Sequence, residues 1–285
     1  ASGELGASPE IAASDWVVMK FGGTSVSSGT CWETIAQLVR NRLADGLNPV
    51  IVHSALQGVS NALAALLESA ASGGSTDGLA DIRQRHYDLA RELELDGPAL
   101  LDDYLQELDQ LIAVIRLVRE VSVRVRVRIM ALGELMSTRL GAAFLERVGI
   151  PTEWMDARDI LLSTSRANRG RSRAYLSATC DHSPDNALQQ RLAGLGKVIL
   201  TQGFIARNSQ GETVLLGRGG SDTSAAYMAA KLQARRLEVW TDVPGMFTAD
   251  PRVVPSARLL VALHYDEAQE LASAGSTVLH PRCLL

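Results

Sequence analysis

The sequence predicts an α/β protein whose mostly parallel central sheet is covered by helices on both faces. Short apolar runs suited to buried strands alternate along the chain with longer stretches suited to amphipathic helices. Two of the strand-like runs lead into glycine-rich turns, at Gly22 and Gly23 and at Gly217 to Gly220. In sheets of this class ligands bind beyond the carboxyl ends of the strands, so these turns are the first candidates for a binding site.

The composition limits the kinds of protein that this chain can be. The 285 residues can bury a substantial core and suit one large α/β domain or two lobes. A formal net charge of −4 argues against a general nucleic-acid binder, which needs a basic surface. The three cysteines, Cys31, Cys180 and Cys283, are scattered and indicate neither a zinc site nor a disulfide framework.

The N-terminal residues 1–14 contain neither a basic segment nor an apolar one, and we expect a disordered tail rather than a signal peptide. No apolar run approaches the roughly 20 residues of a membrane span. We therefore expect a cytoplasmic protein without a membrane or nucleic-acid partner.

The first strand is predicted at Trp16 to Phe21, an apolar run with Lys20 near its end. A lone lysine at a strand end is usually a solvated side chain. Here the adjoining Gly22 and Gly23 could hold phosphate oxygens, which makes Lys20 a candidate for contact with a phosphate.

A helix should follow, with Thr30 and Glu33 at capping-box spacing and Gly46 just beyond its end. The same plan recurs in the next segment. A buried strand is predicted at 49–53, followed by a turn and a helix over about 60–68.

The middle of the chain is predicted to be helical. Stretches 79–95 and 98–118 suggest a helical hairpin outside the sheet. Segment 121–129 is ambiguous, because its strict alternation favours a strand while its flanks favour a helix; we favour the helix. Gly133 and Glu134 are then expected to open or interrupt a helix, where Glu134 could be an ordinary first-turn carboxylate.

The last third again alternates between the two kinds of element. Strands are predicted at 152–155, 197–202 and 237–241, and an amphipathic helix at about 265–274.

Between them, 213–230 reads as a strand, a tight turn and a helix. Its glycines allow positive φ, and Ser221 or Asp222 could cap the helix. The helix N-terminus, with Arg218 beside it, would suit a phosphate or a carboxylate. A purely structural turn is the alternative.

Two glycine turns after strands suggest phosphoryl transfer or dinucleotide binding. No GxxxxGK[ST] run and no protein-kinase motif set occurs. Dinucleotide binding has some support, because Gly217 and Gly219 begin a GxGxxG-like run and Asp242 lies about where a ribose-binding acid is expected. Its weakness is Asp222, which places a carboxylate where the fingerprint needs Gly or Ala, and it leaves the Lys20 turn unused.

Four runs together resemble aspartokinase, in the amino-acid kinase superfamily. They are KFGGTSV at 20–26, GRGGSDTSAA at 217–226, WTDVPGMFTADPR at 240–252 and VLHP at 278–281. They occur in the family order and span nearly the whole chain. The resemblance implies a three-layer α/β/α sandwich that transfers the γ-phosphoryl group of ATP to the side-chain carboxylate of L-aspartate. The product would be 4-phospho-L-aspartate, in the first step of lysine, threonine and methionine biosynthesis.

The resemblance also implies a domain plan. Residues 15–285 would form the catalytic domain, with an amino-acid-binding lobe at 15–196 and a nucleotide-binding lobe at 197–285. Aspartokinases usually continue into ACT regulatory domains, and some are fused to homoserine dehydrogenase or diaminopimelate decarboxylase. None of these is present up to Leu285, so we expect an isolated catalytic domain or part of a longer protein, homo-oligomeric at full length. The feedback effector is left open.

The resemblance assigns roles by position. Lys20 would neutralise charge on the transferring phosphoryl group, and Arg218 would bind the α-carboxylate of the substrate. Asp222 would orient Lys20 and the substrate ammonium, since a carboxylate nucleophile needs no general base. The aspartate pocket would be completed by Ser54, Ser60, Glu134, Phe204, Gly219 and Ser221, with Glu134 facing the ammonium. The nucleotide would be bound by Lys20, Gly22, Gly23, Thr241, Asp242, Phe247 and Arg252, with Mg²⁺ held mainly by the phosphates and by no protein ligand.

Three positions depart from the family pattern. Ser60 replaces a frequent Thr but keeps the hydroxyl, Phe247 replaces a frequent Tyr, and Thr277 stands where some members carry a Lys near the phosphates. Acetylglutamate, glutamate 5- and uridylate kinases remain alternatives within the superfamily. From a different class, the chain could be a catalytically silent module that binds nucleotide or amino acid, and Thr277 is the best support for that reading.

Overall fold

A computed structural model describes residues 14–164, 170–273 and Cys283. The expectations for the N-terminal tail, Thr277 and the VLHP run lie outside these residues, apart from Ser14. The strands are β1 Trp16–Phe21, β2 Asn48–His53, β3 Thr152–Met155, β4 Val198–Gln202, β5 Ile205–Arg207, β6 Thr213–Leu215 and β7 Arg236–Trp240. The helices are α1 Gly29–Ala44, α2 Val59–Ser72, α3 Gly78–Glu92, α4 Gly97–Val118, α5 Val123–Arg147, α6 Arg171–Leu176, α7 Asn186–Ala193, α8 Gly220–Lys231 and α9 Tyr265–Ser273.

The central sheet has five parallel strands in the order β3-β4-β2-β1-β7. Helices α1 and α5 contact each other and pack on strands of this sheet, and α8 packs on β1, β2 and β7. The result is a three-layer α/β/α sandwich, as the sequence predicted. The apolar runs of β1 and β2 are buried because a parallel sheet in such a fold is covered on both faces.

Strand β6 is where the sequence predicts a strand, but it does not join the central sheet. It pairs only with β5, in a separate antiparallel ribbon. Its partner β5 was not predicted as a strand, whereas the five strands of the central sheet agree with prediction to within one residue. None of the described helices is long and apolar enough to traverse a membrane.

Helix α5 settles the ambiguous segment 121–129 in favour of a helix, which begins at Val123 after the N-cap Ser122. The expectation that Gly133 and Glu134 open or interrupt a helix is wrong, because both lie in the middle of a continuous 25-residue helix. The alternating arginines are compatible with a helix because each finds an acidic partner outside α5. The pairs are Arg124 with Glu212, Arg126 with Glu68, and Arg128 with Glu107.

The predicted capping box at Thr30 and Glu33 is also wrong. Helix α1 begins at Gly29, and the hydroxyl of Ser28 accepts a hydrogen bond from the backbone N–H of Cys31. The carboxylate of Glu92, which is distant in sequence, accepts from the N–H of Gly29 at 2.8 Å. An N–H group at the start of α1 is therefore satisfied by a carboxylate from a distant part of the sequence, and not by the nearby acid that the sequence suggested.

Candidate functional site

A pocket of about 320 Å³ lies beyond the carboxyl ends of β1, β2 and β4, between α5 and the start of α8. It gathers every residue that the sequence assigned to catalysis or to amino-acid binding, and it adds two further glycines. Those glycines, Gly217 and Gly220, belong to the GRGG run that also contains Arg218 and Gly219, and this run could have identified them as pocket residues from the sequence. The lining residues are Lys20, Ser54, Ser60, Glu134, Phe204, Gly217, Arg218, Gly219, Gly220, Ser221 and Asp222.

An ion pair joins the front of the chain to its last third inside this pocket. The ammonium of Lys20 lies 2.6 Å from the carboxylate of Asp222, and the two side chains are only 13% and 14% exposed. Lys20 is positioned by β1, which pairs with β2 on one side and β7 on the other. The limited exposure reduces screening by solvent, so Asp222 holds the lysine head group in one place.

The glycine turn before α8 presents its backbone to the pocket. Gly217 and Gly219 have φ of +79° and +66°, conformations that favour glycine. Gly219 is the N-cap of α8, and no side chain caps the helix, so the predicted caps are wrong. Ser221 and Asp222 lie inside the first turn, where their side chains bond to Ser54 and Lys20 instead. The first N–H groups of the helix are thereby left for an anion.

Arg218 lines the pocket next to this helix end. Its guanidinium forms no ion pair with any acidic group in the described part of the chain. A planar cation beside uncapped N–H groups suits a carboxylate, which a guanidinium binds through two parallel hydrogen bonds.

Glu134 is the most perturbed acid of the site. It is buried, and this burial raises the pKa of its carboxyl from 4.5 to about 8, although a hydrogen bond with the Ala55 backbone and the charge of Lys20 act in the opposite direction. Its Oε2 atom has no hydrogen-bond partner among the described residues. A buried carboxyl that faces a pocket with one oxygen unpaired suits a cationic ligand group.

Two serines and Phe204 form the remaining walls. The hydroxyl of Ser54, after β2, donates to the hydroxyl of Ser221 at 2.9 Å, across 167 positions of sequence. Ser60 enters from the first turn of α2. Phe204, between β4 and β5, has a φ of +69°, which is uncommon for a residue with a Cβ atom.

The predicted phosphate turn follows β1. A Cβ atom at Gly23 would lie 2.8 Å from the carbonyl oxygen of Ala55, so this position requires glycine. Trp240 at the end of β7 is in register with Phe21, which brings the segment that begins at Thr241 beside the glycine turn. The hydroxyl of Thr241 bonds to the carboxylate of Asp242 at 3.1 Å.

Apart from Lys20, the predicted nucleotide contacts do not line the pocket; these are Gly22, Gly23, Thr241, Asp242, Phe247 and Arg252. Phe247 forms an isolated bridge with Leu259. Arg252 pairs with Asp250 at 2.8 Å, and its side chain is 85% exposed. The roles of these residues, like those of the pocket residues, stay predictions.

Known proteins resemble this chain in sequence and in fold. The chain is 34% identical over 95% of its length to lysine-sensitive aspartokinase 3 of Escherichia coli, and 35% identical over 94% to a bifunctional aspartokinase/homoserine dehydrogenase of Haemophilus influenzae. The structure resembles the crystal structure of E. coli aspartokinase III in complex with aspartate and ADP, with a TM-score of 0.81, 34% identity and coverage of 94% of this chain and 58% of that one. The chain spans 59% and 33% of the length of the two relatives.

The sequence profile of the amino acid kinase family matches residues 15–285, which include every strand of the sheet and every residue of the pocket. The chain belongs to the amino acid kinase family.

Proposed function

We propose that this chain is an aspartate kinase, which transfers the γ-phosphoryl group of ATP to the side-chain carboxylate of L-aspartate. One observation carries the proposal: the Lys20–Asp222 ion pair, Arg218 and the buried Glu134 converge on a single pocket. The aspartokinase names of the relatives support the choice of acceptor. The pocket volume is at the low end of the range of about 300–1,000 Å³ for ligand sites, which favours a small acceptor.

The pocket offers a complementary group for each end of an amino acid. The guanidinium of Arg218 would bind the α-carboxylate, together with the N–H groups at the start of α8. Glu134 would face the α-ammonium. Burial favours its neutral form while the pocket is empty, and an arriving ammonium would favour the carboxylate. The side-chain carboxylate of the substrate is then left to react.

The reaction depends on positive charge placed beside the transferring phosphoryl group more than on proton transfer. An oxygen of the aspartate side chain attacks the γ-phosphorus, the bond from that phosphorus to the bridging oxygen breaks, and ADP leaves with the electron pair. The attacking carboxylate has an ordinary pKa near 3.9, so it is already ionised at neutral pH and no general base is needed. Lys20 would stabilise the negative charge on the transferring group, and Asp222 would keep Lys20 aimed at it.

The nucleotide would enter from the side of β1 and β7. The turn at Gly22 and Gly23 permits close approach of phosphates, and Thr241 and Asp242 follow the neighbouring strand. Mg²⁺, when bound, would neutralise phosphate charge. We expect the phosphates to supply most of its ligands, because Mg²⁺ in phosphoryl-transfer sites is bound largely through substrate phosphates and water.

A coupled ADP-release assay tests the proposal across L-aspartate, N-acetyl-L-glutamate, L-glutamate and UMP as acceptors. We expect turnover with L-aspartate alone. The Lys20→Ala variant, purified in parallel, reports any contaminating kinase. Turnover with another acceptor and none with L-aspartate would move the chain elsewhere in the family, and ATP binding without turnover on any acceptor would identify a silent binding module.

A further inference from the structure

The wall of the pocket at Phe204 is held in an unfavourable backbone conformation. A φ of +69° brings Cβ close to the backbone of a residue other than glycine. Such a conformation persists only when the surrounding structure imposes it. The contacts that hold Phe204 therefore determine where this wall stands.

One hydroxyl of α8 supplies a hydrogen-bond restraint on Phe204. The backbone N–H of Phe204 donates to Oγ of Ser224 at 2.9 Å, and the same Oγ donates to the carbonyl of Gly220 at 2.9 Å. The carbonyl of Phe204 accepts from the N–H of Leu216 at 2.8 Å. Ser224 is fully buried, so its hydroxyl has no access to solvent. It joins the β4–β5 connection to the first turn of α8.

Close packing also links the two segments. A Cβ atom at Gly220 would lie 2.5 Å from the ring of Phe204, and a Cβ atom at Gly203 would lie 2.5 Å from Oγ of Ser221. Neither contact leaves room for even a methyl group. Any shift of Phe204 would consequently be felt at Ser221, which lines the acceptor pocket.

We propose that Ser224 is a positioning residue for the acceptor pocket: its hydroxyl holds Phe204 in the left-handed conformation and so sets the distance between that wall and the groups that bind the amino acid. Ser224 is absent from the pocket lining and acts through Phe204. Only the identity of the acceptor rests on the proposed function, since the restraint itself is a property of the fold.

The neighbouring residue provides a matched control. Thr223 lies on the same helix and is also fully buried, but among the described residues its hydroxyl bonds only back to the carbonyl of Gly219, at 3.0 Å. Thr223→Val therefore removes a buried hydroxyl from α8 without touching Phe204. Ser224→Ala removes the hydroxyl that reaches Phe204, and Ser224→Thr keeps a hydroxyl at that position.

Hydrogen exchange at the amide of Phe204 tests the restraint without reference to function. We expect exchange at least tenfold faster in Ser224→Ala than in wild type, with rates within about twofold of wild type in Thr223→Val and Ser224→Thr. Unchanged exchange in Ser224→Ala, or equal acceleration in Thr223→Val, would overturn the proposal. Should Ser224→Ala fail to fold, Ser224→Cys, whose sulfur is a weak acceptor, takes its place under the same criteria.

Steady-state kinetics test the consequence for the substrate. Ser224→Ala should raise the KM for L-aspartate about tenfold and leave the KM for ATP within twofold, while Ser224→Thr should restore the aspartate KM. An equal rise in Thr223→Val would assign the effect to general weakening of α8 and refute a positioning role. If the wild type does not phosphorylate L-aspartate, the proposed function fails, and the exchange experiment still decides the role of Ser224.

Discussion

The acceptor pocket and the segment 241–263 are built in different ways, although both lie beyond strands of the same sheet. The pocket is held by contacts between residues far apart in sequence, such as Lys20 with Asp222 and Ser54 with Ser221. Among the described residues, the side-chain hydrogen bonds and ion pairs of segment 241–263 join residues at most ten positions apart, as in Thr241 with Asp242 and Arg252 with Asp250. Many of its apolar side chains are exposed, including Val253 and Val261.

This difference predicts how each region responds to change. A pocket whose charged groups are fixed by long-range contacts is organised before a ligand arrives, so removing one group should be costly. Exposed side chains that bond to near neighbours contribute little individually. We therefore expect large effects in the acceptor pocket and small ones in segment 241–263.

The largest effect is expected for Lys20→Ala. It removes the cation that we assign to the transferring phosphoryl group, and kcat should fall by a factor on the order of 10²–10³. The melting temperature should change little. Lys197→Ala is the matched control, because Lys197 precedes β4 at the opposite end of the sheet and pairs with Glu153 at 3.2 Å. If Lys20→Ala turns over as fast as Lys197→Ala, Lys20 has no part in the chemistry.

Arg218→Ala should act on binding more than on turnover. Loss of the two hydrogen bonds to the α-carboxylate should raise the KM for L-aspartate by roughly 10–100-fold, with the KM for ATP nearly unchanged. Arg218→Lys, which keeps the charge but loses the planar fork, should fall between wild type and Arg218→Ala. A rise in the KM for ATP with an unaltered aspartate KM would place Arg218 on the nucleotide instead.

The Glu134→Gln variant should alter two separate properties, the pH dependence of stability and the binding of L-aspartate. The pKa of Glu134 is raised to about 8 by burial, so in the empty protein its contribution to stability is complete below about pH 4.5 and is lost as pH rises through 8. Gln cannot ionise, so the variant should not lose stability in this way. The loss in wild type corresponds to about 1.4 kcal/mol of unfolding free energy per unit of pKa difference. Its KM for L-aspartate should rise, because the ammonium loses its counter-charge.

Urea unfolding of the empty protein at pH 6 and pH 9 measures the effect on stability. Wild type should lose more free energy of unfolding between these two pH values than Glu134→Gln does. Saturating L-aspartate should reduce the difference by favouring the carboxylate of wild type. Parallel losses in both proteins would show that Glu134 does not titrate in this range.

The smallest effect is expected for Arg252→Ala. Its guanidinium is largely exposed and its ion pair with Asp250 is local, so the KM for ATP should rise only about two- to fivefold. The aspartate KM should stay the same. A loss as large as that of Arg218→Ala would erase the contrast between the two regions and indicate that segment 241–263 is rebuilt around the nucleotide.

Much of the fold was predictable because it follows from local patterns. The buried runs of β1 and β2 and the glycine turns are visible in sequence, since strands buried on both faces are continuously apolar. The errors arose where a distant residue replaced a local signal. Glu92 takes the place of a capping-box acid at the start of α1, and a strand signal at 213–215 produces a ribbon outside the sheet.

The functional site likewise combines residues that the sequence located with features that only the structure reveals. The motif runs located Lys20, Arg218 and Asp222, and those residues do meet in one pocket. Propensity alone made Glu134 an ordinary first-turn carboxylate, whereas the structure buries it in mid-helix against the pocket. No local pattern marks Ser224 either, because its role depends on the N–H of Phe204, twenty positions away.

The sequence by itself determined a mostly parallel α/β fold through hydrophobic periodicity, and its resemblance to a known family in four motif runs supplied the family and most members of the pocket, because such patterns extend over only a few residues. Only the tertiary structure decided which charges are paired, which carboxyl has a raised pKa and which backbone is held in an unfavourable conformation. Those properties depend on burial and on contacts between distant segments, and the folded chain alone brings these together.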